Sequence, residues 1–248
     1  MSAPSPRSPS LARLRRLAGE VGPLARATGV NLASPDRGRR LREALAYWRF
    51  SATPGLLPQR HIAEVFPGIE ELSAHSRAEV DHAFELPLGE RVLVDLIVQH
   101  LQPQLIVEFG TFTGTTTALM ARAAPAGATV HTFDLPTAPD ELIGRAFRDR
   151  DDLAGSIVAH RADTRSFDFS DLLGTADLVY VDASHHYADV LADSRRALEL
   201  IGDEGVVLWD DYQAAQPGVV AAVSELAAEH NLAWLAGSRL AVLQRPER

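Results

Sequence analysis

Five short, mostly apolar runs lie between residues 104 and 211: QLIVEFG, ATVHTFD, SIVAHRA, ADLVYVDA and GVVLWDD, with helical stretches between them. Apolar runs of this length suit strands buried on both faces, and strands alternating with helices wind into a parallel sheet. The stretch from Tyr187 to Ile201 places Val190, Leu191, Ala197, Leu198 and Ile201 on one side, and the stretch from Val219 places Val220, Val223, Leu226 and Ala227 likewise. Ahead of the first strand, from Gly89, Leu93, Leu96, Ile97, His100 and Leu101 mark a further helix, with His100 packed in its apolar face. The sequence NLAWLAGSRLAVLQR ends the pattern with two β-like runs about Gly237-Ser238, a hairpin signal. The expected fold is α/β, a doubly wound Rossmann-like sheet of seven strands with a C-terminal antiparallel hairpin. A dinucleotide-binding domain would instead continue its parallel crossovers.

Composition narrows the function. A chain of 248 residues with 46% hydrophobic content can bury one substantial core, which fits a single α/β domain with an N-terminal extension. The net charge of -9 offers no basic field for a phosphate backbone, so nucleic acid is not an expected partner. There is no cysteine, which removes disulfides, thiolate metal sites and Cys nucleophiles. All 24 basic residues are Arg, which excludes Schiff-base or P-loop lysine chemistry. No apolar run exceeds five residues, so no membrane span is expected and a cytoplasmic location fits.

The domain expectation is a disordered Ser/Pro-rich tail over 1–10, a helical and loop extension over 11–88, and a main domain over 89–248. The acid-poor, Arg-rich start superficially resembles an organellar transit peptide, but Arg enrichment is chain-wide here. Within the extension, RRLREALAYWRF (Arg39 to Phe50) reads as a basic amphipathic helix that packs on the main domain or on a partner subunit, which makes a homodimer an expectation. The Pro-, Gly- and His-rich stretch from Ser51 to Pro87 reads as loops and short helices able to cap an active site.

The first strand runs into VEFGTFTGTTTALMA, an acid followed by G-x-x-x-G and a helix opening on Thr115, Thr116 and Thr117. Glycines let backbone approach a ligand, and a helix N-terminus offers unpaired N–H groups, so this reads as a cofactor loop. The bland alternative is a merely structural strand-to-helix turn. The spacing is not G-x-G-x-x-G and no Gly-Lys follows, which weakens both pyrophosphate readings. At the end of the second strand, Asp134 can accept two hydrogen bonds from ribose hydroxyls. Asp163, at the end of the third, is placed to meet an adenine amino group, although taken singly such a residue is more often a helix cap.

Together VEFGTFTGTTT, Asp134, Asp163 and the closing hairpin resemble class I S-adenosylmethionine-dependent methyltransferases. More narrowly, FELPLGERVLVDLIVQHLQP, VDASHHYADVLADSRRALEL and GVVLWDDY look like the macrolide-sugar and aminocoumarin O-methyltransferases of antibiotic biosynthesis and the cephalosporin-hydroxylase-like proteins. The resemblance runs from about Phe84 to Gln244. It implies that Glu108, Gly110, Thr111, Gly114 and Thr115 surround the methionine part of S-adenosylmethionine, that Asp134 holds the ribose and that Asp163 meets the adenine. Glu90 and Asp182 are further cofactor-facing expectations.

Strands four and five are neighbours in such a sheet, so Asp182, Asp210 and Asp211 at their carboxyl ends converge. Three close carboxylates raise one another's pKa unless a cation is present, and an oxygen-rich site suits Mg2+ or Mn2+. Acids at strand ends also cap helices, and for Asp182 alone that reading competes evenly. The resemblance to metal-dependent sugar O-methyltransferases extends to Asp182, His185, Asp210 and Asp211. A hydroxylated small molecule would then bind the metal, and His185, with an imidazole's ordinary pKa of about 6.5, would take its proton. Asp182 is the base if His185 is turned away. Two other readings stand beside this one: an iron-dependent hydroxylase on the same fold, and a nucleoside-binding subunit without catalysis.

Overall fold

The computed structural model describes residues 55–72 and 88–244, with Phe50 and Thr53. The expected disordered tail, nearly all of the basic Arg39–Phe50 helix and the stretch 73–87 lie outside the described residues. Residues from Gly55 onward form a unit of their own.

In chain order the elements are β1 (Gln59–Arg60), α1 (Ile62–Val65), a 3-10 turn (Ile69–Glu71), α2 (Leu88–Leu101), β2 (Leu105–Phe109), α3 (Thr115–Ala123), β3 (Thr129–Asp134), a 3-10 turn (Asp151–Leu153), β4 (Ile157–Arg161), β5 (Ala176–Val181), α4 (Tyr187–Leu200), β6 (Ile201–Trp209), α5 (Pro217–Leu226), β7 (Leu232–Leu235) and β8 (Ala241–Gln244). The sheet order is β1-β7-β8-β6-β5-β2-β3-β4, with the switch point between β2 and β5. β8 runs antiparallel to both β6 and β7, which closes the sheet with the expected hairpin. Its turn uses Gly237 at φ 84, and the Trp234 indole N–H donates to the Ser238 carbonyl at 2.8 Å.

Three features depart from expectation. The sheet has eight strands rather than seven, because Gln59 and Arg60 add a short parallel strand beside β7. Two exposed polar residues carry no apolar signature, so nothing in the local pattern announces them. β6 starts at Ile201, directly from the end of α4, with a register irregularity against β5 between Ala176 and Leu178. The buried stripe of α2 is Val94, Ile97 and Val98, rotated from the predicted face, while His100 is half-buried and meets Phe66 edge-on at 5.7 Å.

One core layer joins Ile106, Val130, Leu178, Tyr180, Val206, Leu208 and Val242 of the sheet to Val94, Ile97 and Val98 of α2 and Met120 of α3. Register aligns Phe109 with Val181 and Val181 with Trp209, so the chain leaves β2, β5 and β6 at the same level. This brings Gly110, Asp182 and Asp210 to one edge, at the point where the strand order reverses and ligands of open α/β sheets bind.

Candidate active site

At that edge lies a cavity of about 590 Å³, within the usual range for small-molecule sites. One wall is the β2–α3 loop (Gly110, Thr111, Phe112, Thr113, Thr115 and Thr116), and the far wall carries Asp182, His185, Asp210, Asp211 and Arg239.

Asp134 is clamped at the end of β3. Its Oδ2 accepts from the Phe112 N–H and its Oδ1 from the Leu135 N–H, both at 2.8 Å. The expected ribose ligand thus lines the cavity with its carboxylate held by backbone. Asp163 also lines it, but Arg165 pairs with both its oxygens at 2.8–3.0 Å and the Arg165 N–H donates to it as well. Those hydrogen bonds hold the Asp163 pKa down at about 2.

Glu108, Gly114 and Glu90 are not among the residues lining the cavity. Glu108 is buried and accepts through Oε2 from the hydroxyls of Thr117 and Thr132, each at 2.5 Å, while Oε1 has no partner among the described residues. Burial raises its pKa to about 7, partly opposed by the two hydroxyls. Thr132 in turn meets the Thr111 hydroxyl at 2.7 Å, so Glu108 ties β3 and α3 to the cofactor loop from below. Gly114 caps α3 at φ 79 under the Phe147 ring, where a Cβ would come within 2.4 Å of that side chain. The Phe147 segment is laid on the loop by two hydrogen bonds, Gly144 N–H to the Phe112 carbonyl (2.8 Å) and Ala146 N–H to the Thr113 carbonyl (2.9 Å). Gly110 is required by packing as well as by any ligand. Its φ is +103, and a Cβ would stand 2.1 Å from the Asp182 carbonyl oxygen.

On the far wall, His185 Nε2 lies 2.6 Å from Asp211 Oδ2. Asp211 adopts φ +59 and is nearly buried, whereas the imidazole is about half exposed, 46% of its side-chain surface. The first turn of α5 shapes this loop, because Gly218 approaches so closely that a Cβ would lie 2.3 Å from the His185 carbonyl oxygen. Asp182 is half-buried, and its pKa is raised well above the carboxylate range by burial and then by Asp210, Asp211 and Glu108. Burial also raises Asp210 to about 7, against the pull of Arg239.

The expected metal set was Asp182, Asp210 and Asp211. The structure instead gathers Asp182, His185 and Asp211, each offering one donor atom, all within 4.8 Å of one another. Asp210 turns its Oδ1 to the Asp211 N–H (2.6 Å) and its Oδ2 to Arg239 (3.5 Å). The two carboxylates suit Mg2+ or Mn2+, while the imidazole is a donor more usual for Zn2+ or Fe2+.

Sequence reasoning missed Arg239 altogether. The guanidinium contacts Glu90 at 3.0 Å and Asp211 at 2.8 Å as well as Asp210, so the predicted trio of acids already faces a resident cation. A lone Arg in an otherwise apolar hairpin, LAGSRLAVL, was the available signal.

A parallel sheet with its order reversed beside a Gly-bearing loop, an acid closing the next strand and a C-terminal antiparallel pair define a class I methyltransferase fold. Residues 107–212 match a family model described as a methyltransferase domain. No curated protein matches the chain. Among solved structures, the Bacillus cereus O-methyltransferase in complex with SAH is similar at 17% identity and TM-score 0.54, over 66% of this chain and 84% of that one. TomG from Streptomyces achromogenes, an O-methyltransferase involved in tomaymycin synthesis and solved with SAM, is 19% identical with TM-score 0.50, over 65% and 82%. Cofactor-bound Rv0187 from MTB is 18% identical with TM-score 0.54, over 67% and 84%. At these identities the likeness speaks for the shared fold.

Proposed function

We propose that this protein transfers the methyl group of S-adenosylmethionine to a hydroxyl of a small molecule, with His185 accepting the proton. The observation that carries the reading is the His185–Asp211 pair at 2.6 Å, facing the cofactor loop across one cavity. With Nε2–H donated to Asp211, the imidazole keeps Nδ1 as its free lone pair, the arrangement in which a carboxylate sets the tautomer of a general base. Asp134 receives the ribose hydroxyls, and the N-terminal end of α3, which carries no side-chain cap, meets the amino-acid part of the cofactor. The cofactor supplies an electrophilic methyl carbon on a sulfonium. As the acceptor oxygen bonds to that carbon, the carbon–sulfur pair returns to sulfur as a neutral thioether and the hydroxyl proton passes to His185. Holding both partners in line removes much of the entropic barrier.

Asp182, His185 and Asp211 would hold a divalent cation, whose contribution is to acidify a bound hydroxyl. The ring nitrogen of His185 that ligates cannot then take the proton, which leaves the other ring nitrogen for that role. A single imidazole in the group counts against an oxygen-activating iron site, which uses two His and one carboxylate. The acceptor proposed is a polyhydroxylated sugar or secondary metabolite, in keeping with the sequence resemblance. Residues 89–248 form the proposed catalytic domain, and a homodimer in the cytoplasm is proposed for the whole chain.

Release of S-adenosylhomocysteine, measured over a panel of hydroxylated acceptors with Mg2+ and with EDTA, tests this reading. Acceptor-dependent release supports methyl transfer, and its loss on chelation supports the cation. Release that EDTA leaves unchanged removes the cation and keeps His185 as base.

A further inference from the structure

Arg239 is held from several sides on the cavity wall, and its contacts form a path. Its backbone N–H donates to Glu90 Oε1 at 2.7 Å, and its carbonyl accepts from the Tyr212 N–H at 2.8 Å. Its Nε reaches both Glu90 oxygens at 3.0 Å. Glu90 belongs to α2 and is 5% exposed, so the anchor is itself fixed in packed structure. What remains of the guanidinium is its terminal pair of nitrogens. NH1 reaches Asp211 Oδ1 at 2.8 Å, and NH2 reaches Asp210 Oδ2 at 3.5 Å.

The consequence falls on Asp211. Oδ1 is shared by Arg239 and by the Gln213 amide at 2.6 Å, which leaves Oδ2 alone to face His185. Asp211 stands at φ +59, in the left-handed region that Asp tolerates better than most residues but still occupies uncommonly, and these contacts hold it there. A planar guanidinium suits the task because it presents donors in a fixed fork, whereas an ammonium is a point charge on a flexible stem.

We propose that Arg239, fixed by Glu90, is the positioning residue that sets the His185 imidazole by holding Asp211 through its Oδ1. The proposal rests on the reading of His185 as the base, but it can be tested without an acceptor. Arg239 touches neither of the reacting atoms in this scheme. It acts through Asp211 and governs whether the His185 ring is held in one tautomer with Nδ1 free.

The test is long-range nitrogen–proton NMR of the imidazoles in the full chain, with His185→Asn used to assign the His185 signal. In the wild type, His185 should appear as the Nε2–H tautomer with an exchange-protected ring proton. In Arg239→Met that proton signal should be lost and the two tautomers should mix. Arg239→Lys, which keeps charge and volume but not the fork, should restore it only in part. Melting curves run alongside identify misfolding; if Arg239→Met does not fold, the comparison passes to Arg239→Lys and Glu90→Gln. An unchanged His185 signal in folded variants overturns the proposal, as does a wild type with no Nε2–H tautomer. Once an acceptor is found, Arg239→Met should lower kcat by roughly tenfold or more with KM for S-adenosylmethionine within about twofold, the mark of lost alignment rather than lost binding. A wild type that turns over no acceptor defeats the proposed function and leaves the NMR result standing on its own.

Discussion

Replacing Gly110 by Ala tests how the site is assembled. At φ +103 an L side chain is strained, at a cost of roughly 1–3 kcal/mol. The added Cβ would also stand 2.1 Å from the Asp182 carbonyl oxygen, 2.6 Å from its carbon and 2.9 Å from the Ala183 Cα. All three are backbone atoms and have no rotamer to change. The Asp182 N–H is bonded to the Phe109 carbonyl at 2.8 Å, so relief means moving the end of β5 away from β2 by about an ångström to regain ordinary contact. Strain and overpacking together should cost roughly 3–5 kcal/mol. In a chain of this size that lowers Tm by roughly 6–20 °C. Gly127→Ala is the control, because Gly127 has φ +90 with nothing within 4 Å of its Cβ position. It should lose only the strain, about 1–2 kcal/mol. Calorimetric melting of both variants reads the difference, and titration with S-adenosylmethionine should show weakened binding in Gly110→Ala alone. Equal losses in the two variants would refute the claim that the cofactor loop is seated directly on Asp182.

Gly218→Ala should push on the His185 carbonyl, 2.3 Å from the added Cβ, and so cut turnover at least tenfold by misplacing the imidazole while leaving cofactor affinity intact; steady-state kinetics would show it. His185→Asn should lose roughly 10²–10⁴ in kcat, the usual contribution of a general base, and near-normal turnover in that variant would move the role to Asp182. Glu108 gives a pH prediction. Its carboxyl titrates at about 7 when folded, above its ordinary value of 4.5, so between these values the folded state binds the extra proton and stability falls as pH rises. Urea melts between pH 5 and 8 should show that decline, with Asp210 contributing in the same direction from its own raised value of about 7. Glu108→Gln should flatten the curve by a few kcal/mol, and a slope that does not change would mean that the carboxyl is not the buried acid described.

The strands of the central sheet were legible because each is a short apolar run bounded by polar turns, and the hairpin because Gly237 follows a β-like run. From strand ends alone the sequence located Gly110, Asp134, Asp163, Asp182 and Asp211 at one edge, where the cavity now lies. It could not tell which side an acid faces. Glu108 and Glu90 sit beside the cofactor loop and the acidic cluster, yet one carboxylate is sealed under threonines and the other under Arg239. The distinction depends on contacts across 24 and 149 residues of chain, which local patterns do not record. Asp210 and Asp211 are adjacent and looked alike, but both meet Arg239 of the hairpin and only Asp211 also reaches His185. The strand at Gln59 is created by pairing with β7 and has no apolar code of its own.

The central claim is that the cavity between the cofactor loop and the acidic wall is an S-adenosylmethionine site. Isothermal titration of S-adenosylmethionine into the full chain tests it most directly, with Asp134→Ala alongside. The account predicts binding of one equivalent, displaced by S-adenosylhomocysteine and weakened at least tenfold in Asp134→Ala, which removes the carboxylate proposed to hold the ribose. No binding to the wild type, or equal affinity in the variant, would contradict it.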